Sequence, residues 1–412
     1  MFFRFPIFSS LFVLGLGLLF SSCEKPYSPD STSVDSSFHP HPGPVVMAYY
    51  VPERDYQPEK IPVEKLTHII FSFTNVIDGE MKFRKPEEAG PKLEALVKQK
   101  ERNPDLKVMI ACGGWGADGF SDMALTAESR TKFIQSARSF IERYQLDGMD
   151  MDWEYPGISG AGTMARPEDT QNFTALMKGL RQMLDTFESP KILTFASAGW
   201  ERYYDFIEVE EVMNYANFMN IMTYDQVTGV SIYTGHHTPL GRASQEDLAG
   251  TPFQSHLDSL YLAKEEIDTE PHSVEKIVDF LIKKGVKPAQ MIIGSAFYGR
   301  VWKGVPDDHQ GLYQKSKGIH IGWYAYHEIR SKYELDSSFV RYWDEHAKAP
   351  YMYQASNGLF VSYDDTVSVA LKTRYAIDMQ LGGIMFWELG NDTKEPGSLL
   401  DAIYKEAKKG EK

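Results

Sequence analysis

The sequence predicts an α/β protein, a (β/α)8 (TIM) barrel with a small α+β insertion between the seventh and eighth strands. Two observations carry this prediction. From Val45 onward, short apolar runs alternate with amphipathic stretches, which is the pattern of βα units around a parallel sheet. The first run ends in Tyr49-Tyr50-Val51-Pro52, with none of the glycines that an open doubly wound sheet needs for its phosphate turn.

Taken in order, the chain opens on a targeting segment. Arg4 precedes an apolar run from Phe5 to Phe20, too short to cross a bilayer comfortably as a helix, which needs about 20 residues. Ser21-Ser22-Cys23 resembles the end of a bacterial lipoprotein signal, although Phe20 departs from the small or aliphatic residue usual there. Residues 1–22 are therefore expected to be a lipoprotein-type signal peptide, with Cys23 the lipidation site. The protein is expected to be exported and held to a membrane only through that lipid. Residues 23–44, rich in Ser, Pro, Asp and His, read as a flexible tether.

The folded domain is expected over residues 45–409. Its strand candidates are Val45–Val51, Leu66–Thr74, Lys107–Cys112, Gly148–Glu154, Ile192–Ala198, Phe218–Tyr224, Met291–Phe297 and Gly383–Trp387. Helical patterns fall at Pro91–Arg102, Ser129–Tyr144, Pro167–Phe187, Ser273–Lys284, Asp365–Met379 and Ser398–Lys409. One connection is abnormally long. Residues 300–362 hold aromatic, strand-like runs at Gly322–Tyr326, Ala349–Gln354 and Leu359–Ser362, and are expected to build an α+β wall beside the barrel mouth. The Gly/His/Ser-rich stretch Gln226 to Pro271 reads as surface loops.

Composition narrows the function. Of 412 residues, 42% are hydrophobic and 13% aromatic, enough for a large core. A formal net charge of −14 argues against nucleic acid as a partner and suits a neutral substrate such as a glycan. The two cysteines, Cys23 and Cys112, make no disulfide framework, and Cys112 is expected to be packing in a strand. His236 and His237 are adjacent and point apart, with no third ligand evident, so no metal is expected. No cofactor is implied, and a monomer is expected.

The chemistry concentrates in Asp147-Gly148-Met149-Asp150-Met151-Asp152-Trp153-Glu154-Tyr155-Pro156. On a strand, Asp150, Asp152 and Glu154 share one face at spacings of roughly 6–7 Å, while Met149, Met151 and Trp153 face a covering helix. Stacked acids in an apolar strand are expensive to bury, and they must share protons. Glu154, nearest the carboxyl end, is the candidate general acid; Asp150 and Asp152 lie deeper. Asp147 has the other parity and is placed at the strand's start as structural support. A two-carboxylate glycosidase needs a second acid as nucleophile or water base, and Asp152 is poorly exposed for that. The alternative is a substrate whose own 2-acetamido group attacks, with Asp152 holding the amide N–H.

These residues resemble the DxxDxDxE signature of glycoside hydrolase family 18, the chitinases and their relatives. Cys112-Gly113-Gly114-Trp115 is similar to the family's SxGGW segment, with Gly113 and Gly114 as support and Trp115 as a sugar platform. Ala111 stands where serine is usual, which removes a hydroxyl that in relatives bonds the buried aspartate. Met222-Thr223-Tyr224-Asp225 resembles the MxYD segment and Phe297-Tyr298-Gly299-Arg300 the FYGR segment. The resemblance implies that Tyr224 bonds the acetamido carbonyl, and that Met222, Asp225, Tyr298 and Arg300 contact the sugar chain. It also implies that Trp387 floors the cleaved sugar and that Tyr49 adjoins the buried acids. Tyr326-His327-Glu328-Ile329 is similar to a motif of the family's insertion.

Phe73 is read as sharing an inward face with Phe71, mainly core, with a lesser substrate role. The function implied is retaining, substrate-assisted hydrolysis of β-1,4 linkages in N-acetylglucosamine polymers or oligomers. The alternatives are an endo-β-N-acetylglucosaminidase acting on N-glycan cores and a non-catalytic lectin, whose relatives lose the acid at the Glu154 position. The stretch Gln226-Val227-Thr228-Gly229-Val230 carries no tryptophan after Asp225, which leans towards soluble chitooligosaccharides.

Overall fold

The computed structural model describes residues 43–54, 56–265 and 269–410. The expected signal peptide, Cys23 and the tether up to residue 42 lie outside the described residues. In chain order the strands are β1 (Val45–Tyr50), β2 (His68–Ile77), β3 (Glu80–Lys82), β4 (Lys107–Gly113), β5 (Gly148–Asp152), β6 (Ile192–Ala198) and β7 (Phe218–Met222). They continue with β8 (Met291–Ala296), β9 (Tyr298–Trp302), β10 (Ile319–Ala325), β11 (Val340–Asp344), β12 (Ala349–Gln354), β13 (Leu359–Tyr363) and β14 (Gly383–Trp387). Parallel pairing runs β1-β2-β4-β5-β6-β7-β8-β14 and returns to β1, closing an eight-stranded barrel. β3 adds an antiparallel hairpin outside it.

Alternation along each strand divides the core into two layers. Val46, Ala48 and Tyr50 of β1 pack outward against the helices. Val45, Met47 and Tyr49 fill the barrel with Ile70, Met109, Phe218 and Met385. On β5, Met149 and Met151 take the outward side. Trp153 stacks on Phe120 at 5.4 Å and meets Phe173 of the helix Asp169–Leu184 edge-on at 6.0 Å.

Local chemistry sets the helix boundaries. The helix Ala127–Tyr144 starts at a capping box in which Thr126 and Ser129 exchange backbone-to-side-chain bonds. The helix Thr366–Asp378 starts at Asp365, whose carboxylate accepts from the amides of Val367 and Ser368 at 2.9 Å each. The helix expected at Pro91–Arg102 instead runs Pro86–Lys98, because Pro86 opens it and Glu87 and Glu88 suit its first turn.

The α+β wall is a five-stranded antiparallel sheet, ordered β10-β9-β13-β12-β11. It reaches beyond the expected bounds of 300–362 to Tyr298 of β9 and Tyr363 of β13, and includes β11, a strand absent from the sequence-based expectation. The reading of Gln226–Pro271 as surface loops is corrected. Ser244 and Thr251 cap two helices there, Gln245–Leu248 and Pro252–Leu262. Leu248, Phe253 and Leu257 form a third core with Trp302, Tyr313 and Phe360 of the wall. Thr234, His236, His237 and Thr238 are buried as well.

One buried ion pair ties these parts to the barrel. Lys372 and Asp364 are both fully buried, 2.6 Å apart. Asp364 also accepts from Ser368 Oγ at 2.6 Å, Thr238 Oγ1 at 3.1 Å and the Ala296 amide at 3.0 Å. The group thus joins a helix, the connection after β7 and the end of β8. Removing one partner strands the other charge without water, so Lys372→Met is expected to destabilise the fold by about 3–5 kcal/mol. Denaturant unfolding reads this directly, and a loss below about 1 kcal/mol, the scale of a surface pair, contradicts it.

Candidate active site

The acids of β5 open into the carboxyl-end mouth of the barrel. Asp150 is fully buried and takes three hydrogen bonds. Thr194 Oγ1 donates to Oδ1 at 2.6 Å, Asn220 Nδ2 to the same oxygen at 3.1 Å, and the Tyr49 hydroxyl to Oδ2 at 3.0 Å. Burial pushes its carboxyl up to about 6 despite these donors. Asp152 is also buried, and its Oδ1 has no hydrogen-bond partner. Burial raises it well above the usual carboxylate range, and the charges of Glu154 and Asp150 raise it further. The strand ends at Asp152, two residues short of the expected boundary, so Glu154 stands on the rim, half-buried. Burial lifts its carboxyl to about 7.

The turn from β4 fits closely around these acids. A side chain at Gly113 would bring its Cβ to 1.8 Å from the Asp152 carbonyl oxygen, and its φ is +130°. The Gly114 amide donates to that same carbonyl at 2.9 Å. The Phe73 ring lies 2.7 Å from where a Gly114 Cβ would sit. Trp115 follows, 67% exposed, with its ring 6.5 Å from Tyr155. Asp147 stays outside the mouth. Its carboxylate receives Lys100 Nζ at 2.9 and 2.8 Å and the Val108 amide at 2.8 Å, pinning β4 to the start of β5.

The position of Phe73 differs from the sequence reading. Between the pairs Phe71↔Ile110 and Thr74↔Cys112, β2 spends one residue more than β4, and this register shift reverses the alternation. Phe71 therefore packs against the helices, whereas Phe73 faces the mouth and stacks on Trp387 at 5.5 Å. The Tyr49 ring lies tilted against Trp387 at 5.7 Å. A groove of about 520 Å³ runs beside these rings, lined by Val51, Glu53, Phe73, Asn75, Trp115 and Trp387. A larger hollow of about 820 Å³, between Tyr56–Lys65 and Leu389–Lys405, holds none of the stacked acids.

Across the mouth, Tyr224 and Tyr298 meet edge-on at 6.0 Å, and Met222 packs half-buried against the inner layer. Asp225, in the left-handed region at φ +58°, is a hub. The Tyr298 hydroxyl donates to its Oδ1 at 2.8 Å, Arg300 Nε at 3.0 Å, and His237 Nδ1 lies 3.7 Å away. Burial pushes this carboxyl up, but His237, the Arg300 guanidinium and Tyr298 together outweigh it and hold the acid at about 2. Arg300 also donates to the Gly322 carbonyl of the wall.

The two adjacent histidines do face different partners, His237 towards Asp225 and His236 Nε2 towards Asp344 Oδ2 at 3.0 Å. Nearby, His346 Nδ1 pairs with Asp247 Oδ2 at 3.0 Å. Cys112 is buried, and its thiol is pushed up to about 12 by that burial, so it is packing.

The sequence reading missed several side chains here. Thr194 and Asn220 are polar residues on the inward face of apolar strands, a signal visible in the alternation of Ile192–Ala198 and Phe218–Met222. Arg54 lies over Trp323 at 4.6 Å, and its Nε is 3.6 Å from Glu388, a buried acid raised by that burial to about 7. Trp323 in turn stacks against Tyr298 at 6.0 Å. This cluster joins β1, β14 and the wall, and pairs of residues so distant in sequence carry no local signal.

A parallel barrel with acids stacked at one strand end and flat aromatic rings around its mouth has the layout of the barrel glycosidases. Comparison narrows the class. Residues 45–392 match the model of glycosyl hydrolases family 18, and the chain belongs to that family. It is 36% identical over 312 residues to Chitinase A1 of Niallia circulans, covering 73% of this chain and 42% of that protein. It is 29% identical over 398 residues to Chitinase B of Serratia marcescens, covering 82% and 76%. Among solved structures, a family 18 N-acetylglucosaminidase from Paenibacillus barengoltzii superposes with a TM-score of 0.77 at 36% identity, covering 88% of this chain and 99% of that one. The chain thus spans less than half the length of the Niallia enzyme.

Proposed function

We propose that the protein hydrolyses β-1,4 linkages next to N-acetylglucosamine in chitin or chitooligosaccharides, with retention, using the substrate's 2-acetamido group as nucleophile. The observation that carries this is the Asp150–Asp152–Glu154 stack, in which the middle acid keeps one buried oxygen without a partner while Tyr224 stands across the mouth. The family and its named chitinase relatives support the substrate class.

Each group has a task in this scheme. Glu154, lifted to about 7, arrives protonated and gives its proton to the leaving oxygen. The acetamido carbonyl oxygen attacks the anomeric carbon of its own sugar, closing a ring and expelling the leaving group. Asp152 accepts the amide N–H on the buried Oδ1 that has no protein partner and so holds the acetamido group in place, while the Tyr224 hydroxyl bonds the carbonyl oxygen. Glu154, now a carboxylate, takes a proton from water as it opens the ring, so both displacements at one carbon restore its configuration. Trp387 floors the reacting sugar, and Trp115, beside Tyr155 on the Glu154 side, receives the leaving sugar.

Glu154→Gln is expected to lower kcat on chitooligosaccharides by about 100-fold or more. Because the raised pKa keeps the acid protonated only below about 7, kcat/KM should fall as pH rises through that value. Near-normal turnover by Glu154→Gln sinks the assignment. Equal turnover of a substrate lacking the 2-acetamido group at the cleaved sugar sinks the substrate-assisted step alone.

The match to the Paenibacillus N-acetylglucosaminidase along nearly its whole chain favours a second reading, release of single terminal sugars. Early products from chitohexaose separate the two. N-acetylglucosamine with the pentamer supports terminal release, and a mixture of dimer, trimer and tetramer supports internal cleavage. Export and lipidation at Cys23 belong to the same proposal and rest on the sequence of residues 1–23. Cys23→Ala is expected to move the protein from the membrane to the soluble fraction, and an unchanged distribution rejects the anchor.

A further inference from the structure

Away from the stacked acids, the turn between β11 and β12 meets the connection after β7 in a cluster of mixed chemistry. Asp344 ends β11, His346 sits in the turn, and Asp247 lies on the helix Gln245–Leu248. One ligand atom from each of the three lies within 4.8 Å of the other two. His346 Nδ1 and Asp247 Oδ2 are closer still, at 3.0 Å. The backbones beneath them are fixed by other contacts. The Gly241 amide donates to the Ala347 carbonyl at 2.8 Å, and a Cβ on Gly241 would come 2.1 Å from the His346 carbonyl oxygen. Leu248, next to Asp247, is fully buried in the third core.

An ordinary surface pair between His346 and Asp247 leaves Asp344 unexplained. Two carboxylates meet here, yet among the described residues no lysine or arginine pairs with either. The nearby cations are engaged elsewhere, Lys348 with Glu275 at 2.6 Å and Arg242 with Asp279 at 2.7 Å. The Asp344 side chain is only 6% exposed and is held from behind. Its Oδ1 accepts from the amides of His346 and Ala347 at 3.0 and 2.9 Å. Its Oδ2 faces Nε2 of His236, an imidazole 3% exposed whose Nδ1 has no hydrogen-bond partner. Carboxylates that ligate metals are oriented by an outer layer of donors of this kind. His346 is 62% exposed, so the cluster opens to solvent on one side, where water can complete a shell.

We propose that Asp247, Asp344 and His346 form a zinc site, with His236 behind Asp344 as its outer support, which locks the α+β wall to the connection after β7. One imidazole and two carboxylates suit Zn2+, which binds such atoms at about 2.0–2.2 Å in a four-coordinate shell that water can fill. Neighbouring ligands in that shell lie about 3.4 Å apart, within reach of small rotations of the exposed Asp247 and His346 side chains. Ca2+ and Mg2+ favour sets made wholly of oxygen. The site shares no residue with the stacked acids and is structural, so it stands or falls independently of the glycosidase reading.

The test titrates ZnCl2 into protein that carries no histidine tag and has been stripped with a chelator, followed by calorimetry and by thermal unfolding. One Zn2+ per chain is expected, with Tm raised by about 2–5 °C at a free concentration 100-fold above Kd. MgCl2 and CaCl2 at the same concentration should leave Tm where it was. His346→Gln and Asp247→Asn should each weaken Zn2+ binding about tenfold or more and remove the Tm shift. Both side chains are at least partly exposed, so the metal-free Tm of each variant should stay within about 2 °C of the parent, which separates a lost ligand from a damaged fold. Absence of a saturable Zn2+ site in the parent leaves a plain ion pair and overturns the proposal. So do an equal Tm shift with Ca2+ and variants that bind Zn2+ as the parent does.

Discussion

The structure of the mouth depends on holding carboxyl groups that are wholly or partly withdrawn from water. An unpaired ion in such a place costs several kcal/mol, so each acid must be given donors, a counter-charge or a proton. The mouth uses all three solutions. Asp150 has donors from β1, β6 and β7, and Asp225 has a guanidinium and a tyrosine. Asp152 and Glu154 are left with little of either and are driven towards the protonated form. The proposed mechanism draws on that inequality, since an acid fully satisfied by protein has nothing left for a substrate.

The same requirement explains why the wall and the barrel cannot be treated as separate parts. Arg300 and Tyr298 begin the wall's first strand, yet both end on Asp225 at the barrel mouth. His237 reaches the same acid, and its amide is held by Ser362 Oγ of the wall at 2.9 Å. Deeper, Asp364 and Lys372 repeat the pattern with full burial on both sides. Polar contacts of this kind add specificity of arrangement where apolar packing alone would tolerate sliding.

The barrel was legible in the sequence because strand alternation and helix patterning are local signals, and all eight barrel strands lie where the sequence puts them to within a few residues. The stacked acids were legible for the same reason, since period two places Asp150 and Asp152 on one face without further information. Phe73 shows where such inference stops. A single extra residue in β2 reverses the parity beyond it, and that shift is a property of pairing with β4, not of the β2 sequence. The helices inside Gln226–Pro271 were hidden by their shortness and by a core shared with the wall. The ring of Thr194, Asn220 and Tyr49 around Asp150 joins positions up to 171 residues apart, which no window along the chain can see.

The closure of the barrel has one further consequence. β1 enters from the amino-terminal ends of the strands, and the last helix, Leu399–Gly410, runs back to that same end, where Gly410 lies against Ile377. Both ends of the described chain therefore leave through the floor, and the acids open through the ceiling. Immobilisation on a solid support through either end would leave the mouth facing the bulk liquid, so insoluble material could approach it without the support in the way.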